Sequence, residues 1–138
     1  MDIFIKLKKI LFFPIIFELA LTLVTYVGNY ESLKTSELLD WLLTILTVLI
    51  TYGWIGWHTW SSVHGGIKLA FIAAVLYLFF WILVQTTVFY FSGSHDLVTK
   101  SQVMLGMLIS SIFILFPPSL LTTLVFWYMA KKLSINKM

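Results

Sequence analysis

Glu18 lies within the apolar run from Ile10 to Gly28 of a 138-residue chain, where no other residue is acidic. A carboxyl at mid-bilayer depth costs about 2.5–3.5 kcal/mol on insertion scales, so it turns toward protein or water and marks a candidate functional site. Hydrocarbon penalises the ionised form. The neutral acid can donate a hydrogen bond or pass on a proton, and copies gathered around a symmetry axis form a cation-selective ring.

The residues that could work with Glu18 recur at helical spacing. Pro14, Glu18, Thr22, Thr25 and Asn29 fall on one face of a first helix, and Asp40, Thr44, Thr47, Thr51, Trp54 and His58 on one face of a second. Set antiparallel at about 1.5 Å of rise per residue, the two faces bring Glu18 level with Thr47 and Thr51. Asn29 and Asp40 then meet at the outer boundary, and His58 stands at the inner one. The expectation is a polar line across the membrane in which Glu18 donates to Thr47, to Thr51 or to a partner subunit. Threonine seams also serve packing alone, since the hydroxyls bond carbonyls four residues back or join helices at about 0.6 kcal/mol each.

A last helix carries Pro117-Pro118 near its centre. Each proline lacks an N–H and crowds the carbonyl four residues back, so the spacing predicts a kink with the Phe113 and Ile114 carbonyls poorly satisfied. Ser110, Ser111, Ser119, Thr122 and Thr123 are close enough in sequence to supply donors. Gly66, Ala70 and Ala74 in one segment, and Gly106 and Ser110 in another, form small-residue faces that permit close helix approach.

Other chemistry is poorly supplied. Of the histidines, only His58 falls within a helix, while His64 and His95 fall in loops, so neither haem ligation nor a clustered zinc site is expected. Ser92-Gly93-Ser94-His95-Asp96 contains triad residue types, but neighbours in a turn do not converge as a triad does. There is no phosphate-binding glycine loop, no H-E-x-x-H and no nucleophile elbow. All nine basic residues are lysine, which removes guanidinium clamps, and without cysteine there are no disulfides or thiolate sites. The sequence is therefore read as non-enzymatic, with no cofactor, no metal and no nucleic-acid partner.

The elements that must hold these residues are four transmembrane helices at approximately 10–28, 38–60, 67–91 and 102–130. The chain is 60% hydrophobic with mean hydropathy +0.98, and each segment exceeds the roughly 18 apolar residues that span a bilayer. Barrel strands would alternate over about ten residues instead. The predicted fold is an all-α integral membrane protein, a single transmembrane domain over residues 1–138, with the helices in an up-down antiparallel bundle. The short Ser61–Gly66 connection, with its glycine pair able to supply a left-handed cap, makes the second and third helices antiparallel neighbours.

Lys6, Lys8, Lys9, Lys68, Lys131, Lys132 and Lys137 fall on one side of this arrangement and only Lys34 and Lys100 on the other. The positive-inside rule places the seven, and both termini, in the cytoplasm. Tyr26, Tyr30 and Trp41 then mark the outer interface, and Trp57, Trp60, Trp127 and Tyr128 the inner one. The first segment contains Glu18 and no small-residue cleavage site follows it, so it reads as a retained helix, and the expected location is a membrane of bacterial inner-membrane type.

In architecture the chain resembles small four-helix membrane proteins that protect against pore-forming toxins or form the membrane part of bacterial defence systems. That resemblance implies a homo-oligomeric subunit in the lipid bilayer, acting through self-association or a soluble or membrane protein partner at the cytoplasmic face. The alternative is a small oligomeric channel or a proton- or cation-conducting subunit that uses the Glu18 and threonine seam.

Overall fold

A computed structural model describes residues 2–27, 37–92 and 97–137. Among the described residues the regular structure is entirely helical: α1 (Ile3–Val27), α2 (Glu37–Ser61), α3 (Ile67–Ser92), α4 (Leu97–Ser110), a π-helical segment (Ser111–Leu115) and α5 (Phe116–Ile135). Among the described residues, three helices are long and apolar enough to cross a membrane, namely Trp41–Ser61, Ile67–Phe91 and the continuous Thr99–Ile135. The helices extend beyond the apolar runs, α1 beginning at Ile3 and α5 ending at Ile135. An apolar run marks the hydrocarbon portion of a helix; lysine, a good helix former, continues it outward.

The core lies in the half of the bundle near the 62–66 turn. Ile10, Tyr52, Ile55, Val63, Leu69, Ala73, Ala74 and Tyr77 pack there as one buried cluster. Ile10, Pro14 and Glu18 are the buried stripe of α1, and Ala70, Ala73, Ala74 and Tyr77 belong to that of α3. The alanine face of α3 is thus spent inside the bundle. Toward the other end the helices part, and α2 is exposed continuously from Trp41 to Leu46.

The most extensive helix pairing joins α2 and α5, and the two run parallel. Thr123 donates to the Tyr52 carbonyl at 3.2 Å, and Trp60 Nε1 to Ser134 Oγ at 2.8 Å, so position advances together on both helices. Gly53 and Gly56 make the approach possible. A methyl group on Gly56 would overlap the Thr123 carbonyl oxygen, and one on Gly53 would press on the Phe126 ring at 3.3 Å. Gly106 has open space around its Cα, so the α4 small-residue face is not used within the bundle.

The turn after α2 differs from expectation in one detail. His64 takes the left-handed conformation, at φ 48°, and no described glycine does. This lets the Gly65 N–H return to the Thr59 carbonyl at 2.7 Å and the His64 N–H to the Trp60 carbonyl at 3.0 Å. Trp127 Nε1 donates to the Gly65 carbonyl at 2.9 Å, and Lys131 lies over the Trp60 and Trp127 rings. These tryptophans therefore fasten the turn to α5.

Pro117 and Pro118 open α5 directly after the π segment of a continuous helix, so the N–H groups they lack interrupt its hydrogen-bond ladder. The turn before them widens into the π segment, with the Phe116 N–H bonded to the Ser111 carbonyl. The expected kink site is thus a π insertion, a common answer to an interrupted hydrogen-bond ladder. The nearby hydroxyls bond other carbonyls: Ser111 donates to Met107, Ser119 to Leu115 and Thr122 to Pro118.

Candidate intramembrane site

Glu18 is carried into the bundle by the fourfold spacing of Ile10, Pro14 and Glu18 on α1, and its side chain is 2% exposed. Three donors converge on it. Gln85 Nε2 donates to Oε1 at 2.9 Å, Tyr77 Oη to Oε2 at 3.4 Å, and Thr22 Oγ1, one turn along α1, to Oε1 at 3.5 Å. The shortest of these bonds comes from α3.

This corrects the expected pairing with Thr47 or Thr51. Both of those hydroxyls donate to carbonyls on their own helix, Thr47 to Leu43 at 2.8 Å and Thr51 to Thr47 at 2.7 Å. A β-hydroxyl in a helix reaches the preceding turn without moving its neighbours, so it is satisfied locally first. Thr51, Tyr52, Tyr77 and Ser119 are all buried around the same space as Glu18. A buried polar layer therefore links α1, α2, α3 and α5 at the level of Glu18.

Above this layer is a cleft of about 340 Å³. Glu18, Thr51, Tyr52, Tyr77, Leu78 and Ser119 form its buried floor, while Leu21, Thr22, Leu43, Thr44, Thr47 and Trp81 are among its less buried walls. Glu18, Thr22, Thr44, Thr47 and Thr51 thus line one space. Gln85 joins them from α3, and Leu115 brings the π segment to the same wall. Toward the turn the space ends on the buried cluster, where the Tyr52 and Tyr77 rings meet edge to face at 5.2 Å.

His58 does not join this cleft. Its ring stacks on Trp54 at 4.0 Å, and Trp54 packs on Phe13 at 4.4 Å. His58 Nδ1 and Trp54 Nε1 are both buried without a hydrogen-bond partner among the described residues. An aromatic column thus stands where the polar line was expected to continue. Asn29 and the side chains of Thr25 and Asp40 lie outside the described residues.

Tyr77 and Gln85 are the site residues that sequence reasoning missed. They are eight positions apart on α3, a spacing that returns to nearly the same face. Gln85, an amide within an apolar span, was the available signal. Among the described residues no three His, Cys, Asp or Glu side chains gather where a metal could be held. The site offers one carboxyl, several hydroxyls, an amide and aromatic walls, which suits it to binding a proton or a single positive charge. In comparisons with family models, curated proteins and solved structures, nothing matches this chain.

Proposed function

We propose that this chain is a small polytopic membrane subunit that takes up a proton or cation through the Glu18 cleft. In this reading α1 is a fourth crossing, the helices form an up-down bundle, and both termini face the cytoplasm of a bacterial inner membrane, as the lysine distribution favours. The observation that carries the reading is a carboxyl 2% exposed at the floor of a 340 Å³ cleft that is closed toward the turn. Such one-sided access suits a carrier or gated path better than an open pore, and the π segment beside the cleft wall is the natural place to flex. The work is binding and passage, without covalent chemistry.

The test is proton and monovalent-cation flux into liposomes containing the purified protein. Flux is expected to fall to background with Glu18→Gln, which keeps the side-chain volume and most of the hydrogen bonding. Undiminished flux in Glu18→Ala would rule the reading out.

A second reading is favoured by a separate observation. The α2 segment from Trp41 to Leu46 is exposed without interruption, and the Thr99–Ile135 helix leaves most of its apolar surface outside the bundle. A homo-oligomeric subunit, or one that engages a protein partner as immunity and defence-system components do, would cover these surfaces. Gly106 and Ser110 then supply the close-approach face. Gly106→Leu should disperse such an oligomer in nanodiscs, whereas a wild-type protein monomeric at every concentration tested would remove this reading.

A further inference from the structure

We infer that the cleft is built for an amphiphilic organic cation that reaches it sideways from the membrane. This rests on the reading of Glu18 as a cation-handling residue and narrows the substrate class. The chemistry of the walls argues for it. Glu18 is the one acidic side chain among the described lining residues, with the Tyr52 and Tyr77 rings in the floor beside it and Trp81 in the wall. A carboxyl beside aromatic faces recognises a positive charge carried on a bulky, weakly hydrated group, because cation–π attraction grows as water is removed.

An inorganic ion is less well served. A hard divalent ion takes about six or more oxygen ligands, but Leu21, Leu43, Val48, Leu78 and Leu115 occupy much of the lining. Those side chains instead match the apolar body of an organic ligand. The cleft volume of about 340 Å³ lies at the small end of the range for small-molecule pockets.

The direction of access points the same way. Leu21, one turn beyond Glu18 on α1, is 37% exposed on one wall, and Trp81, half-buried in the lining, comes from the middle of the membrane-crossing stretch Ile67–Phe91. Leu21 and Trp81 therefore put the cleft wall beside Glu18 at the depth at which lipid tails would lie. A ligand able to dissolve in the bilayer can enter there, with its charge directed to Glu18 and its apolar part against leucine and tryptophan.

The experiment is equilibrium binding of tetraphenylphosphonium to the full chain in phosphatidylcholine nanodiscs, beside the liposome flux assay. Saturable binding of one cation per chain is expected. Glu18→Gln should weaken it by about thirtyfold or more, the scale on which losing one member of a buried charge pair is felt. Trp81→Leu should weaken it by about three- to thirtyfold through loss of the ring face. Thr47→Trp, which fills the cleft while leaving the carboxyl in place, should abolish it and serves if Glu18→Gln fails to fold. Tetraphenylborate, of the same shape and opposite charge, should not compete.

Binding unchanged by Glu18→Gln and by Thr47→Trp, or equal competition by tetraphenylborate, would overturn the inference by showing simple partition into lipid. Glu18-dependent proton flux without saturable tetraphenylphosphonium binding would overturn it while leaving the proton reading intact. Absence of both would overturn both.

Discussion

Gln85 donates from Nε2 to Glu18 Oε1 at 2.9 Å, tying the C-terminal part of α3 to α1 across the head of a buried polar layer. The bond matters twice. It satisfies an acceptor that hydrocarbon would leave unpaired, and it holds the carboxyl at the cleft floor. Gln85→Leu should destabilise the protein in detergent by about 1–2 kcal/mol, the upper part of the range for side-chain bonds in membranes. A double-mutant cycle with Glu18→Leu should return a coupling of similar size. Additive effects of the two substitutions would show that the bond contributes nothing.

The α2–α5 contact makes a sharper prediction. A methyl group at Gly56 overlaps the Thr123 carbonyl oxygen, whereas one at Gly106 meets open space. Gly56→Ala should cost about 3 kcal/mol or more, because two backbones must separate. Gly106→Ala should be neutral or stabilise by up to about 1 kcal/mol through helix propensity. Thermal unfolding of the two variants in one detergent checks the pair, and equal melting temperatures would contradict the packing.

The clamp at the turn is open to a conservative test. Trp127→Phe keeps an aromatic ring beside Trp60 and removes the 2.9 Å bond from Nε1 to the Gly65 carbonyl. A loss of about 0.5–1.5 kcal/mol is expected, together with faster amide exchange at Gly65, whose N–H bonds Thr59. Unchanged exchange there would mean that the turn holds without the clamp.

Replacing Pro117 and Pro118 with alanine should change stability little, by less than about 1 kcal/mol each. A proline in a helix interior costs about 3 kcal/mol, but here the π segment before both prolines already widens the turn that each would crowd, so alanine has little strain to relieve. A gain near 3 kcal/mol for either variant in chemical denaturation would show that the helix is strained at this point.

For membrane orientation, single cysteines at His64 and Ser134 should react from the same side, since the Trp60 to Ser134 bond sets the C-terminal turns of α5 beside the end of α2. A cysteine at Ser36 should react from the opposite side. Labelling of Ser36 and Ser134 from one side would refute the proposed crossing pattern.

The helices were legible because the apolar runs are long and the charges between them few, which leaves a chain in lipid no alternative to satisfying its own backbone. The helical face of Glu18 was legible from spacing, since 3.6 residues per turn determines which side chains share a face. The partner of Glu18 was not. Thr47 and Thr51 lay at the right depth but had carbonyls of their own helix within reach, and the sequence carries no record of that competition. The Gly53 and Gly56 approach was missed for a related reason: a small residue permits contact without stating with which helix.

By itself, then, the sequence determined a helical membrane protein with a carboxyl set among threonines, because hydropathy and helical period are local properties of the chain. Only the tertiary structure decided that Gln85 and Tyr77 of α3 hold that carboxyl, that an aromatic column separates His58 from it, and that the helices part above it into a cleft. Those outcomes depend on which faces meet and how closely, and that is settled by backbone approach at Gly56 and by the packing of side chains far apart in sequence.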